Sequence, residues 1–211
     1  KKTNSFIYDN QIAVIAATKE IFVMHILNYN TNEFMKEYVF SKDEQITFKN
    51  SAIIQEGGFY NNYRKLEKPK KFLRKITSNK IGVSIIENKG DYQFTIGGYV
   101  NQRSGGAPMM MMGGFGGLPM ASFDNVSVFF NPTMLAYNSF TNTKSTRIEC
   151  LFDSNFEHIK DKEFSENIFD KIKSSNTRSK VAETVFKYKN FFIKGDYNSH
   201  TRMYSLKKFT R

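Results

Sequence analysis

Residues 6–40 read FIYDNQIAVIAATKEIFVMHILNYNTNEFMKEYVF, a series of short apolar runs separated by turn residues. The separators are Asp9-Asn10, Thr18-Lys19 and the longer stretch Asn28–Asn32. Short runs rich in Ile, Val, Phe and Tyr are typical of β-strands, and strands joined by tight turns usually pair with their neighbours in an antiparallel sheet. The stretch therefore predicts a four-stranded meander with strands at Phe6–Tyr8, Gln11–Ala17, Glu20–Leu27 and Glu33–Phe40.

Two further groups of apolar runs repeat this pattern along the chain. The predicted strands of the second group are Lys80–Glu87, Tyr92–Val100, Asn125–Phe130 and Thr146–Phe152, and those of the third are Ala182–Lys189, Phe191–Gly195 and Arg202–Phe209. The composition agrees, because the 211 residues include 21 Phe and 11 Tyr, which favour strands, and few of the Leu and Ala residues from which helical bundles are built. We predict an all-β protein made of antiparallel meanders.

Each group opens with a similar sequence. The three openings are Asn10-Gln11-Ile12-Ala13-Val14, Asn79-Lys80-Ile81-Gly82-Val83 and Asn190-Phe191-Phe192-Ile193. This pattern resembles the blades of β-propellers from bacterial envelope proteins, and the resemblance implies blade-like meanders. Three blades are fewer than the roughly four or more of a closed propeller. We therefore expect residues 1–211 to form either a single all-β domain or the C-terminal portion of a larger propeller, with a β-sandwich carrying long loops as the alternative.

Two segments interrupt the strand pattern. Residues 102–121 contain a run of Gly, Pro and Met, which predicts a flexible loop because such a sequence has high backbone entropy and no periodicity. Methionine is unbranched and polarizable, so we expect this loop to contact a protein partner. The second segment, residues 153–178, is predicted to be a helical or irregular insertion. The expected contact residues of the loop are Met109, Met110, Met111, Met112, Phe115, Leu118 and Met120.

The segment Arg64–Lys80 is strongly basic. It holds eight Lys or Arg residues against the single acid Glu67, and so supplies +7 of the formal net charge of +11. Such a segment is either a solvated connection between strands or a site that binds phosphate groups of anionic lipids or nucleic acid. Nucleic acid is disfavoured because no recognised nucleic-acid motif surrounds the segment. The candidate residues for an anionic surface are Arg64, Lys65, Lys68, Lys70, Lys71, Arg74 and Lys75.

Catalytic and metal-binding patterns are not evident in the sequence. The three histidines, His25, His158 and His200, lack a second ligand at metal-binding spacing, so we expect no metal site and no cofactor. Cys150 lies in an apolar run, which predicts a buried and unreactive thiol. An enzyme is disfavoured. The alternative is a ligand- or glycan-binding propeller with hydrolase or lyase activity, whose carboxylates would come from distant parts of the chain.

These features favour a non-catalytic binding or scaffold subunit of a larger assembly. We expect it to contact a protein partner, such as a membrane barrel, through the Gly/Met-rich loop. No apolar run is long enough for a membrane-spanning helix. The chain opens with Lys1-Lys2-Thr3-Asn4 rather than a Met or a signal peptide, so we expect it to be an excerpt of a longer protein. The composition resembles that of periplasmic or outer-membrane-associated proteins, and we expect that location, with the cytoplasm as the alternative.

Overall fold

The computed structural model describes residues 1–57, 63–100, 132–141, 143–175, 180–189, 191–198 and 200–210. Strands account for 54% of the described residues, and they form three antiparallel sheets. The strands are β1 (Lys2–Tyr8), β2 (Gln11–Ala17), β3 (Ile21–Asn28), β4 (Phe34–Ser41), β5 (Ile53–Glu56), β6 (Arg64–Leu66), β7 (Lys80–Asn88), β8 (Asp91–Val100), β9 (Lys144–Phe152), β10 (Lys180–Tyr188), β11 (Phe191–Asn198) and β12 (Met203–Thr210), and the helices are α1 (Pro69–Ser78), α2 (Pro132–Thr141) and α3 (Ile168–Ser174).

The all-β prediction is confirmed, as is the antiparallel pairing. Strands β1 to β4 form a four-stranded sheet in sequence order, which is the meander predicted for residues 6–40. Its first turn is the predicted Asp9-Asn10, where Asp9 has a positive φ of 49°, as the tight turns of hairpins require. Within the described part of the chain, the sheets do not close into a propeller.

The second sheet has five strands in the order β6-β5-β9-β8-β7. Strands β7 and β8 form a hairpin through Lys89-Gly90, and both of these residues have positive φ. Strand β9 returns between β8 and β5, although about forty residues of sequence separate it from β8. The short strands β5 and β6 were not predicted, since each is too brief to show an alternating pattern. The predicted strand Asn125–Phe130 lies outside the described residues.

The two larger sheets and α1 share one core rich in phenylalanine. Phe22 and Phe40 of the first sheet stack at 5.2 Å between ring centroids, and Phe40 lies 6.2 Å from Phe72 of α1. In the second sheet, Phe94 and Phe152 meet edge to face at 4.9 Å. Aromatic pairs of this kind add about 0.5–1.5 kcal/mol to the free energy of burial. This core fixes α1 between the two sheets.

The described residues fall into two compact units. The first contains β1 to β9 and α1. The second contains α3 and the meander β10-β11-β12. In the second unit, Phe169 of α3 meets Phe192 of β11 edge to face, with 5.1 Å between ring centroids. Lys194 of β11 is fully buried, and its Nζ donates hydrogen bonds to Ser175 Oγ and to the carbonyl oxygen of Ile172 at 3.1 and 3.4 Å. Lys194 therefore binds the C-terminal end of α3, where a cation is favoured by the helix dipole.

Candidate anion-binding surface

A row of four residues crosses the five-stranded sheet next to the basic segment. Arg64 of β6 pairs with Gln55 of β5, Gln55 pairs with Thr146 of β9, and Thr146 pairs with Gly98 of β8. Directly paired residues project from the same face of a sheet. The register therefore aims the side chains of Arg64, Gln55 and Thr146 toward one face.

Helix α1 packs closely over this same face of the sheet, at Gly98. A Cβ atom added at Gly98 would lie 2.8 Å from the Cα atom of Ile76 in α1, so the two backbones are nearly in contact. Only glycine permits this approach. The helix begins with Pro69, whose fixed φ suits the first helical position.

The sequence of α1 is amphipathic, and this determines which residues reach solvent. Its buried residues are Phe72, Leu73 and Ile76, all of which face the core. The opposite side of the helix exposes Lys70, Lys71 and Arg74, whereas Lys75 is half-buried at the boundary between the two sides. The predicted connection between strands is therefore a basic helix with a fixed orientation.

Arg64 is held in place by a neutral partner. Its Nε and Nη2 atoms both donate hydrogen bonds to Gln55 Oε1, at 3.0 and 2.7 Å, and Gln55 is only 7% exposed. A guanidinium has five N–H donors, and among the described residues the three not used here make no hydrogen bond. The buried amide fixes the direction of the guanidinium without neutralising its charge.

Three cations lie close enough to Lys75 to repel its charged form. The pKa of Lys75 is lowered from its ordinary value, first because burial removes water from the ammonium group, and then because Arg64, Lys144 and Arg74 repel the charged form. Lys144 belongs to this group because it lies on the same face of β9 as Thr146, two residues away. The sheet register thus adds a distant cation to the basic segment.

Across the described residues, no ion pair forms with Arg64, Arg74, Lys75 or Lys144. The first turn of α1 also lacks an acidic residue, although negative charge is favoured at a helix N-terminus. The basic surface comprises Arg64, Lys68, Lys70, Lys71, Arg74, Lys75 and Lys144. The predicted candidate Lys65 is not part of it, because it alternates with Arg64 along β6 and projects from the opposite face of the sheet.

Several basic residues elsewhere in the first unit have carboxylate partners. Arg147 is 8% exposed, and its Nη2 lies 2.7 Å from Glu56 Oε1 while its Nε lies 3.2 Å from Glu149 Oε1. The Nη1 atom of Arg147 donates a hydrogen bond to Ser145 Oγ at 3.0 Å. A further three lysines form ion pairs, which are Lys36 with Glu157, Lys42 with Glu20 and Lys162 with Asp91.

The structure places the sequence candidates as follows. Arg64 and Lys65 are exposed on β6, Lys68 is exposed at the residue preceding α1, and the remaining candidates belong to the helix. Sequence reasoning missed Gln55 and Lys144, because only strand pairing brings Gln55 beside Arg64 and Lys144 onto the same face of the sheet. The seven loop candidates Met109, Met110, Met111, Met112, Phe115, Leu118 and Met120 lie outside the described residues.

The remaining titratable residues singled out in the sequence have structural contacts. Cys150 is fully buried, as predicted, and burial, followed by the charge of Glu149, raises the pKa of its thiol. His25 Nε2 lies 2.7 Å from Glu37 Oε1 on the neighbouring strand. His158 Nε2 lies 3.0 Å from Asn50 Oδ1, and burial lowers the pKa of this imidazole.

No protein-family model, no curated protein and no solved structure matches this chain. Within the described ranges, no helix is long and apolar enough to cross a membrane. The same residues contain no group of three or more His, Cys, Asp or Glu side chains able to hold a metal ion. The function is therefore inferred from the chemistry of the basic surface.

Proposed function

We propose that this chain is a non-catalytic, all-β binding module that adsorbs to anionic phospholipid headgroups through its basic surface. The observation that carries the proposal is the group of cations on and beside α1 that have no ion-pair partner among the described residues, whereas the buried Arg147 and several lysines are paired. Cations without counter-charges repel one another, and an anionic surface relieves that repulsion. The orientation of α1 presents Lys70, Lys71 and Arg74 together to such a surface.

Lipid headgroups suit this surface better than nucleic acid does. Five of its seven cations are lysines, which act as point charges, whereas base recognition relies on the planar fork of arginine and on amide side chains. Single-stranded nucleic acid also requires aromatic rings on which bases stack. Among the described residues 63–80, Tyr63 is the one exposed aromatic side chain.

The expected affinity follows from the number of cations. Each Lys or Arg close to an anionic membrane contributes about 1 kcal/mol, and this contribution falls off over the Debye length, about 8–10 Å at physiological salt. Several residues of the basic surface acting together therefore suffice for reversible adsorption, which should weaken steeply as salt is added.

Vesicle sedimentation tests the proposal. The protein should bind vesicles containing phosphatidylserine and should not bind vesicles of phosphatidylcholine alone. The triple variant Lys70→Glu, Lys71→Glu and Arg74→Glu should lose this binding. A matched control that reverses three exposed lysines elsewhere in the first unit, Lys19, Lys89 and Lys160, makes the same change in net charge and should retain most of it.

Two results would contradict the proposal. The first is equal loss of binding in both triple variants, since net charge alone would then explain adsorption. The second is tighter binding to a single-stranded oligonucleotide than to the anionic vesicles at the same salt concentration, which would reassign the surface to nucleic acid.

The sheets also support a proposal about architecture. We propose that the meander β1-β2-β3-β4 is a blade of a propeller, because its four strands lie in sequence order, as they do in propeller blades. In this arrangement the module belongs to a larger periplasmic or outer-membrane-associated assembly. A structure of the assembly with its strands arranged around a central axis would support this, whereas an isolated two-sheet sandwich would refute it.

A second contact is proposed for the Gly/Met-rich segment on the basis of its composition. Five methionines together with Phe115 and Leu118 would make a deformable apolar surface for a protein partner. Deletion of Gly105–Gly117 should weaken co-purification with that partner and leave the β signal in circular dichroism unchanged. Unchanged co-purification would refute this contact.

A further inference from the structure

We infer that Arg64, Lys75 and Lys144 form a fixed seat for a single phosphate group within the basic surface. This inference rests on the proposed function, since the seat would be the site where one headgroup phosphate is held in place. The remaining lysines of the surface would attract the membrane without a defined geometry. The seat is the part of the surface whose geometry is set jointly by the sheet register and α1.

Three different elements supply the three cations, and the third of them is distant in sequence from the other two. Arg64 comes from β6, Lys75 from α1 and Lys144 from the start of β9. The row from Arg64 through Gln55 to Thr146 fixes Arg64 on one face of the sheet, and Lys144, two residues from Thr146 on β9, projects from the same face. The close approach of Ile76 to Gly98 then fixes the adjacent Lys75 over that face.

The seat is also organised before any ligand arrives. Arg64 is oriented by its two hydrogen bonds to the buried Gln55, so little side-chain entropy is lost when its other donors bind an anion. Lys75 is half-buried and already repelled by Arg64 and Lys144, which lowers its pKa. A phosphate group would relieve this repulsion and accept hydrogen bonds from all three cations.

The ligand chemistry is that of a phosphate oxyanion with more than one negative charge. Three cations around one position exceed the single charge of a carboxylate, whereas a phosphomonoester or free phosphate carries about −1.5 to −2 at neutral pH. Free phosphate and the headgroup of a phosphatidic acid share this chemistry. The experiment therefore includes both.

The test compares Lys75→Met with Lys71→Met in the full chain. Both variants remove one positive charge from α1 and retain an unbranched stem, but only Lys75 belongs to the seat. Binding of inorganic phosphate is measured by calorimetry against chloride at matched ionic strength. Lys75→Met should weaken phosphate binding about tenfold, the loss expected for one charge-assisted hydrogen bond, and Lys71→Met should leave it nearly unchanged. Lys144→Met provides an independent variant and should behave like Lys75→Met.

A second arm identifies the source of the phosphate. Vesicles containing phosphatidic acid are compared with vesicles of equal surface charge containing phosphatidylglycerol. A larger effect of Lys75→Met on the phosphatidic acid vesicles assigns the seat to a lipid headgroup, and an effect on inorganic phosphate alone assigns it to a free phosphate.

Equal losses in Lys75→Met and Lys71→Met, or no phosphate binding by the native chain, would overturn the seat. Adsorption to phosphatidylserine vesicles is measured separately, so the seat can fail while the proposed function holds. Conversely, selective phosphate binding without adsorption to vesicles would support the seat and refute the proposed function.

Discussion

The two faces of the five-stranded sheet each carry an arginine, and the environments of these two arginines are opposite. On one face, Arg147 is buried between Glu56 and Glu149, with its guanidinium bonded to both carboxylates. On the other face, beneath α1, Arg64 is bonded to the neutral Gln55 and lies in a group of cations that has no carboxylate partner among the described residues. The two arginines belong to neighbouring rows of the sheet. Arg147 pairs with Ile54 of β5, and the next residue of β5, Gln55, pairs with Arg64.

This difference separates a structural cation from one that is available to a ligand. Burying an unpaired charge is costly, so the carboxylates around Arg147 are required for the fold itself. Arg64 and its neighbours are closer to water and can remain charged without such partners. Their repulsion is a modest cost to the free protein, and an external anion would remove that cost.

Removal of Arg147 should produce the largest effect. The substitution Arg147→Met leaves Glu56 and Glu149 facing each other without their shared cation, and breaking a buried ion pair in this way costs about 3 kcal/mol of unfolding free energy. Urea denaturation followed by circular dichroism measures the change. Glu149→Gln, which leaves the bond to Glu56, should cost about 1 kcal/mol. A loss below that in Arg147→Met would show that the carboxylates are well hydrated without the arginine.

A substitution at Gly98 should disturb the packing of α1 on the sheet. Because the Cα atom of Ile76 lies 2.8 Å from the position of an added Cβ, Gly98→Ala must displace the helix backbone, and overpacking of this kind typically costs about 1–3 kcal/mol. The shift should also weaken phosphate binding, because Lys75 moves with the helix.

Gly90→Ala is the control that adds a methyl group without a packing clash. No atom lies within 4 Å of a Cβ at that position, although its φ of 88° adds backbone strain of its own. It should leave phosphate binding unchanged. A Gly98→Ala variant with native stability and native phosphate binding would contradict the close packing of α1 on β8.

The extent to which these two faces could be predicted from the sequence depends on the range of the interactions. The strands of the first sheet follow from local alternation and tight turns, which is why residues 6–40 were predicted closely. Helix α1 was missed because basic and polar residues dominate the composition of a short segment, although Phe72, Leu73 and Ile76 carry the helical spacing of its buried face.

The candidate surface was predicted only in part for a related reason. The sequence marks Arg64 and Lys75 because they lie in one charged run. Lys144 carries no such mark, since it is a single lysine at the start of an apolar strand. Its place depends on β9 returning between β8 and β5, a pairing across about forty residues that local patterns do not specify.

Removing a cation from the α1 face should stabilise the protein, whereas removing Arg147 from the other face should destabilise it. Lys75→Met relieves repulsion from Arg64, Lys144 and Arg74, so the unfolding free energy of the free protein should rise by a few tenths of a kcal/mol at low salt. Added salt should abolish the gain by screening these charges. Lys160→Met, at an exposed position elsewhere, should show no such gain. Destabilisation by Lys75→Met at low salt would mean that its packing outweighs the repulsion.

The smallest effect is expected in the titration of Lys75 itself. Burial and the three neighbouring cations lower the pKa of this ammonium group below its ordinary value of 10.5. The folded protein therefore releases this proton before the unfolded chain does, and the contribution of Lys75 to stability rises as the pH increases between the two pKa values. Tyr38 acts in the opposite direction above about pH 10, because burial and the charge of Glu157 raise the pKa of its phenol.

Because these two contributions overlap in any measurement of unfolding, the comparison requires the side-chain nitrogen of Lys75 to be followed by NMR. Arg64→Gln should raise the pKa of Lys75, as should Lys144→Met, since each removes one source of repulsion. Inorganic phosphate should raise it further in the native chain than in either variant, because the seat is then complete. A pKa of Lys75 that responds to neither substitution would place these cations too far apart to bind one anion, and the α1 face would then attract a membrane only through its total charge.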